Sequence, residues 1–493
     1  MSSMETLADW QQLDLEDRQA RLRTLVHGLW PPAQDYVDLV RAPEHWGLFA
    51  STGPNFRAAI FGRDSLETAE DLLTTHRSVV RDVILCACHL QGQKFDVTSE
   101  EEPGKIHHEF RSVRFGNHEV PKKSLKILRD LQEVWGGRDT DRMTYYGSFD
   151  ATPLLIRLVG WYVERYGTDI LDTTVERRNG SACTVRDCVL SATQWLAGKI
   201  AAQPAGLFAY RRTNPLGLVN QVWKDSPTAY VKLDGELPDH NNSIASAELQ
   251  GYAYDALLAA IDMKLGNTGM RKIWRDMATE LQRQTIQLLW MESEQFFAQG
   301  ITFDSTGNSE LIATITSTGA ALLDSRLIHD LPADKAAPYI HGIVRHIFSP
   351  ELLTSCGIRC RATRHRNLLN FIDYHGCNTV WPKETYDIAK GLRRSGLPHL
   401  AQSLEDRIRS SIAHASDFYE FFYVDYDGTV WYDRDRAIEH FGAMSPGHML
   451  PVPETGQAWT ISAVERIIAE RATTNNIPVP TAFEKKALQQ AAV

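Results

Sequence analysis

The chain has 493 residues, 43% of them hydrophobic and 23% charged, the make-up of a soluble globular protein that can bury a sizeable core. Its formal net charge of −10 and pI near 5.9 argue against phosphate backbones of nucleic acid as the main partner. The seven cysteines match neither zinc-site spacing nor a secreted disulfide framework, and read as buried free thiols of a reducing compartment.

The N-terminus is polar and acidic, with no basic and apolar segments of a secretory signal, and no run of eighteen apolar residues occurs. A cytoplasmic chain without a membrane span is expected. Residues 1–45 read as a lead-in with an amphipathic helix over about Glu16 to Trp30, ending at Pro31-Pro32. From residue 46 to 475 the pattern is helical throughout. The polar tail 476–493 is expected to be loosely held.

Ser51 to Ser65 is turn-rich and feeds a helix carrying Leu66, Ala69, Leu72 and Leu73. Asp64 or Ser65 can cap that helix; alternatively Arg63 and Asp64 contact substrate hydroxyls. Val79 to Leu90 reads as a second helix. The long loop Gln91 to Arg111 carries Lys105, His107, His108, Glu109 and Arg111. Adjacent residues of an extended chain point to opposite sides, and no third ligand set is evident, so no metal is expected there. Tyr145 to Pro153, with Asp150, repeats the earlier plan: aromatics and an acid in a turn before a helix.

Further helices are expected over Thr184 to Ala201, Ser246 to about Leu265, Met270 to Phe297 and Ser317 to Leu323. Lys335 to Ile347, Lys383 to Ser395 and Leu397 to Ala413 follow, then a terminal helix after Gln457. Roughly twelve helical segments with few convincing strands, alternately preceded by long polar-aromatic loops and short turns, predict six helical hairpins closed in a ring. The fold class expected is all-α, with function on the long loops at one end.

The stretch Gly217 to Ser226 carries the chemistry most plainly. It sets Asp225 beside Trp223, Lys224 and the amides of Asn220 and Gln221, just after a Pro/Gly-rich turn. A carboxyl next to an indole is desolvated and so equipped to hold a proton near neutral pH. Asp225 is the candidate proton donor of a glycosidase, with the ammonium of Lys224 expected to turn away from it.

Several blocks in order resemble the amylo-α-1,6-glucosidase family, the glucosidase half of glycogen debranching enzymes and its bacterial relatives. They are Ile60–Ser65, Glu102–Arg111, Tyr146–Pro153, Asn220–Ser226, Glu248–Tyr252 (with Gln250) and Gln457–Trp459. The resemblance spans most of residues 50–470 and implies an (α/α)6 barrel. It places the general acid on Asp225 and the general base on a late-loop glutamate, here Glu420, with Glu454 and Glu439 as rivals. The family's Pro and Leu around that glutamate are Tyr419 and Phe421 here. The His-Asp that usually follows Trp-Pro is Lys383-Glu384, in a loop that should line the sugar pocket. The large N-terminal β domain of many bacterial relatives is absent, which weakens a polymer-processing role.

Hydrolysis needs one protonated carboxyl to donate to the leaving oxygen and one ionised carboxylate to activate water, roughly 6.5–9.5 Å apart for inversion. On that scheme Arg63, Asp64 and Asp150 would hydrogen-bond a terminal glucose, and Trp381 and Tyr374 would stack on it. Glu109, Arg111, His375 and Gln457 would line the pocket further. The expected partner is a small carbohydrate, with no cofactor. A glycoside phosphorylase, a sugar epimerase or an inert carbohydrate-binding protein on the same barrel are the alternatives.

Overall fold

The computed structural model describes residues 34–473 and 479–491, apart from Pro54, Asp139 and Pro204. The helix expected over Glu16 to Trp30 lies outside them. In chain order the main helices are Gly62–Leu72 (α1), Arg77–Leu90 (α2), Lys122–Trp135 (α3), Ala151–Tyr166 (α4) and Val185–Ala201 (α5). They continue with Ala247–Asp262 (α6), Thr268–Leu289 (α7), Ala333–Ile347 (α8), Pro382–Arg394 (α9), Pro398–Ala415 (α10), Arg434–Ala443 (α11) and Ala458–Thr473 (α12). A 3-10 segment, Ser317–Asp324, falls between α7 and α8. None of the described helices is long and apolar enough to cross a membrane.

The architecture is an (α/α)6 barrel. The inner ring runs α1, α4, α6, Ser317–Asp324, α9, α12, each packed on the next, and α12 closes on α1. Outer helices cover the joints: α2 lies on α1 and α4, α5 on α4 and α6, α7 on α6, α8 on the 3-10 segment, and α10 on α9 and α12. Small residues let the inner segments approach. A Cβ on Gly160 would lie 2.8 Å from the Cβ of Ala259, and one on Gly391 would meet the Leu323 backbone at 2.5 Å.

Inner position explains a helix that its sequence disguises. All eleven residues of α1 are buried, although Arg63, Asp64, Glu67, Glu70 and Asp71 are among them. Leu66, Ala69 and Leu72 join the hydrophobic core, while the charged side chains find partners across the barrel interior. The expected helix Met270 to Phe297 ends earlier, at Leu289. It starts behind Asn267, whose side chain caps the Met270 N–H, and the apolar residues past its end form a short hairpin, Trp290–Met291 with Phe296–Phe297.

Strands are more numerous than the sequence suggests, and all are short. Ala59–Phe61 (β1), Glu109–Ser112 (β2) and Arg142–Tyr145 (β3) form one antiparallel sheet. Ser243–Ser246 (β4), Gly300–Phe303 (β5) and Ser309–Ile312 (β6) form a second, with β5 central. Thr379–Val380 (β7), Phe422–Val424 (β8) and Val430–Trp431 (β9) form a third. These sheets position the site. β1 runs directly into α1 and β4 into α6, and β7 leads through Trp381 into α9, where Pro382 takes the first helical position.

Candidate active site

The starts of the inner helices surround an open cleft of about 310 Å³, within the range of small-ligand sites. Arg63 and Asp64 reach it from the first turn of α1, and Glu109 and Arg111 from β2. Trp223 and Asp225 come from the loop before β4; Tyr374, His375 and Trp381 precede α9; Glu420 precedes β8. Both candidate carboxyls therefore face one cavity from loops almost two hundred residues apart.

Arg63 is the electrostatic centre. Its Nη1 donates to Asp150 Oδ2 at 3.0 Å and its Nη2 to Asp225 Oδ2 at 3.1 Å, while Nε lies 3.7 Å from Asp64 Oδ2. One cation thus serves three carboxyls. Asp150 is fully buried behind Arg63 and also accepts from Ser148, so it anchors the guanidinium and does not reach the cleft. Burial pushes Asp225 up to about 6, against the pull of Arg63. Burial likewise pushes Asp64 up to about 7, with Arg63 opposing and the neighbouring Asp225 and Asp150 adding to the rise.

Glu420 lies in a different environment. Its Oε1 accepts from the Tyr374 hydroxyl at 2.7 Å and its Oε2 from the Glu454 backbone N–H at 3.2 Å. Burial pushes its carboxyl up to about 8; the two donors oppose that rise. The rivals are placed otherwise. Glu454 lies behind Glu420, its carboxylate taken up by Ser51 and Asn55. Glu439 is exposed on α11.

The aromatic wall is a packed box. Trp223 meets His375, Trp381 and Trp459 edge-on at centroid distances of 5.1, 4.8 and 6.0 Å. His375 stacks on Trp381, and its imidazole is held well below its usual range by burial, hence neutral. The box lines the same cleft as Asp225. Tyr374 turns out to be a hydrogen-bond donor to Glu420 as well as a cleft wall.

Besides Asp150, four expected site residues are directed elsewhere. Lys224 is fully buried and turned away from Asp225; its Nζ donates to Ser317 Oγ, Thr318 Oγ1 and Glu384 Oε1 at 2.6, 3.0 and 2.6 Å. Glu248 lines a small cavity inside the barrel with Glu67, Arg157 and Lys383, not the cleft. Gln250 braces the backbone: Nε2 donates to Phe208 O and Ser246 O, and Oε1 accepts from Phe208 N. Gln457 is fully buried, and its amide, oriented to satisfy both ends, joins Ala50 O to the Trp459 indole. In the Lys383-Glu384 pair the lysine binds Asp387 and Asp71 and the glutamate binds Lys224, so both face the barrel interior.

Helix α3, which carries none of the motif blocks, also reaches the cleft. Its Ile127, Leu131 and Trp135, four residues apart, form one wall of the cleft with Leu218. That spacing was the available signal. Asn55, Phe56, Phe61, His108 and Trp459 also line the cleft. His107 and His108, side by side, are both held neutral by burial.

No protein-family profile matches the chain, and no curated protein matches its sequence. Solved structures do match. The GH63 mannosylglycerate hydrolase from Thermus thermophilus, in complex with glucose, aligns with a TM-score of 0.57 at 14% identity, over 89% of this chain and 100% of that one. The same enzyme with Tris and D-glycerate gives 0.56 at 14% identity, over 90% and 100%. A wild-type glycosidase gives 0.51 at 12% identity, over 93% and 98%. At these identities the likeness establishes a shared fold, the six-hairpin barrel of these glycosidases.

Proposed function

We propose that the chain is an exo-acting glycoside hydrolase that releases glucose from small α-glucosides with inversion, Asp225 acting as general acid and Glu420 as general base. The observation that carries this reading is that two carboxyls from distant loops, Glu420 buried and Asp225 partly exposed, line one open cleft, each with its own hydrogen-bonding partners. Fold neighbours that are glycosidases support the reaction class. The ordered motif blocks shared with amylo-α-1,6-glucosidases support an α-glucoside as substrate. The cleft volume of about 310 Å³, at the small end of ligand sites, favours a small glycoside over a polymer.

In the proposed step Asp225 gives its proton to the glycosidic oxygen. Glu420 takes a proton from a water on the opposite face of the sugar, and that water attacks the anomeric carbon. Tyr374 and the Glu454 N–H equip Glu420 to carry negative charge. Arg63 holds Asp225 in place, and a proton on Asp64 or Asp225, both pushed up by burial, reduces the surplus negative charge of three carboxyls around one guanidinium.

Productive hydrolysis needs Asp225 protonated and Glu420 ionised, with carboxyls at about 6 and about 8. Of the two forms with a single proton on Asp225 or Glu420, the productive one is then the minor, and kcat/KM follows a bell between those values. The same order favours a second reading with exchanged roles, Glu420 donating and Asp225 activating water. An α-glucosyl fluoride, whose leaving group needs no protonation, separates the two: under the first reading Asp225→Asn retains fluoride hydrolysis and Glu420→Gln does not.

The test of the main proposal is a screen of α-linked glucosides with the released anomer followed by NMR. β-Glucose as first product is expected. An initial α-anomer, or no turnover of any glucoside, would overturn it.

A further inference from the structure

Outside the cleft, three of the seven cysteines meet where the surface hairpin before α5 packs near α2. The hairpin strands, Thr174–Glu176 and Ala182–Thr184, pair antiparallel, and Thr184 caps α5 through a reciprocal bond with Asp187. Cys183 lies on the second strand and Cys188 in the first turns of α5. Their sulfurs are 3.3 Å apart. A disulfide requires closure to about 2.05 Å, roughly 1.3 Å of further approach that two side-chain rotations in a surface hairpin can supply. Cys188 also points at the Cys88 carbonyl on α2, 3.9 Å away.

Three features separate this pair from the other thiols. Cys183 is half-buried, so a dissolved oxidant reaches it, whereas the remaining six are buried. The Arg177 Nε donates to Cys183 Sγ at 3.0 Å, placing a cation on the sulfur that meets solvent. The N-terminus of α5 adds its partial positive charge beside Cys188. Burial pushes thiols up, Cys86 to about 12 and Cys356 and Cys377 to about 11, and it acts in the same direction on Cys183, where the Arg177 hydrogen bond opposes it. Cys188 is instead drawn down to about 7 by its sulfur neighbours and Arg177, against its burial.

We propose that Cys183 and Cys188 form a reversible oxidation site, converted by a peroxide into an intramolecular disulfide. The Cys183 thiolate attacks one peroxide oxygen and becomes a sulfenic acid as hydroxide leaves. The Cys188 sulfur then attacks the Cys183 sulfur, forming the S–S bond and expelling water. In sum, two thiols and one hydrogen peroxide give one disulfide and two waters, and a thiol reductant reverses the change. The bond would tie the hairpin to the helix it caps and take the acceptor sulfur from Arg177. The cleft is not involved, so the site stands independently of the proposed activity.

The experiment treats the full-length protein with stoichiometric hydrogen peroxide, counts thiols after denaturation and maps peptides without reduction. Seven thiols should fall to five, the Cys183–Cys188 peptide should lose two hydrogens, and dithiothreitol should restore seven. Cys183→Ser and Cys188→Ser should each titrate six thiols before and after, while Cys88→Ser should still lose two. A Cys88–Cys188 linkage, loss of thiols in Cys183→Ser, or seven thiols surviving peroxide would each overturn the assignment. Circular dichroism of the serine variants confirms that they fold.

Discussion

The cleft and the barrel axis just beneath it are both rich in buried carboxylates, yet they are built differently. Along the axis most of the acids have a cation directly on them. Arg157 holds Glu70 through Nε and Nη2 at 2.8 and 2.5 Å; Lys383 and Lys390 share Asp71 and Asp387; Lys224 holds Glu384 at 2.6 Å. At the cleft Arg111 pairs with Glu109, but the single guanidinium of Arg63 serves three carboxyls, and Glu420 has only neutral donors. Matched pairs fix charge and lock the inner helices in register. A deficit of cations leaves carboxyls that hold protons near neutral pH, which is what proton transfer requires. Glu67 and Glu248, on the axis but outside ion-pair distance, show the same physics: burial pushes each up to about 8.

If that contrast is right, the two regions respond oppositely to substitution. The largest effect is expected at the candidate acid and base. Asp225→Asn and Glu420→Gln should each lower kcat on α-glucosides by about 10²–10⁴-fold, the range for a lost proton-transfer group, with the fold intact by circular dichroism. On the axis, Arg157→Met should leave Glu70 uncompensated and cost about 3–5 kcal/mol in denaturant unfolding. Its kcat per folded molecule should stay near the wild-type value. A stable Arg157→Met, or a dead but stable one, would erase the distinction between the regions.

A smaller effect follows from linkage. The Glu420 carboxyl is raised above its unfolded value, so the folded state binds more protons between about pH 4 and 8, and stability falls as pH rises through that window. Glu420→Gln removes the penalty and should unfold later than wild type at pH 8, by about 1–2 kcal/mol. The gain should vanish by pH 4, which urea titrations at the two pH values would show. Smallest of all, Tyr374→Phe deletes one donor to Glu420. It should shift the upper limb of the pH–rate profile upward and lower kcat by about tenfold or less, the worth of one hydrogen bond to a charged group. A downward shift would mean that Tyr374 does not favour the ionised form.

The helical ring was legible because outer and inner helices alike carry apolar periodicity and polar-aromatic loops alternate with short turns. Asp225 was legible for a local reason: its acid and its desolvating indole are two residues apart. Other parts depend on long-range packing that no local pattern encodes. The run Gly62 to Leu72 reads as an ordinary amphipathic helix, and only ring closure buries its charged side. Gln250 and Gln457 resemble sugar-binding amides because an amide beside an aromatic looks the same whether it meets a hydroxyl or a backbone. The strands, two to four residues long, offer too few positions for alternation to show. The surroundings of Glu420 come from Tyr374 and Glu454, 46 and 34 residues away.

Ring closure also sets a timetable. The seam between α12 and α1 is stitched by backbone bonds from Thr52 N to Gly456 O and from Ala458 N to Ala50 O, and Ser51 reaches Glu454 across it. The Glu420 wall of the cleft is thus braced by the segment ahead of the first strand through the last loop before α12. During synthesis a chain that has emerged as far as Tyr423 already contains every proposed catalytic group and has no pocket to put them in. Contacts of such sequence separation form slowly, so the cleft assembles as one of the last events of folding, and a prematurely ended chain is a silent one.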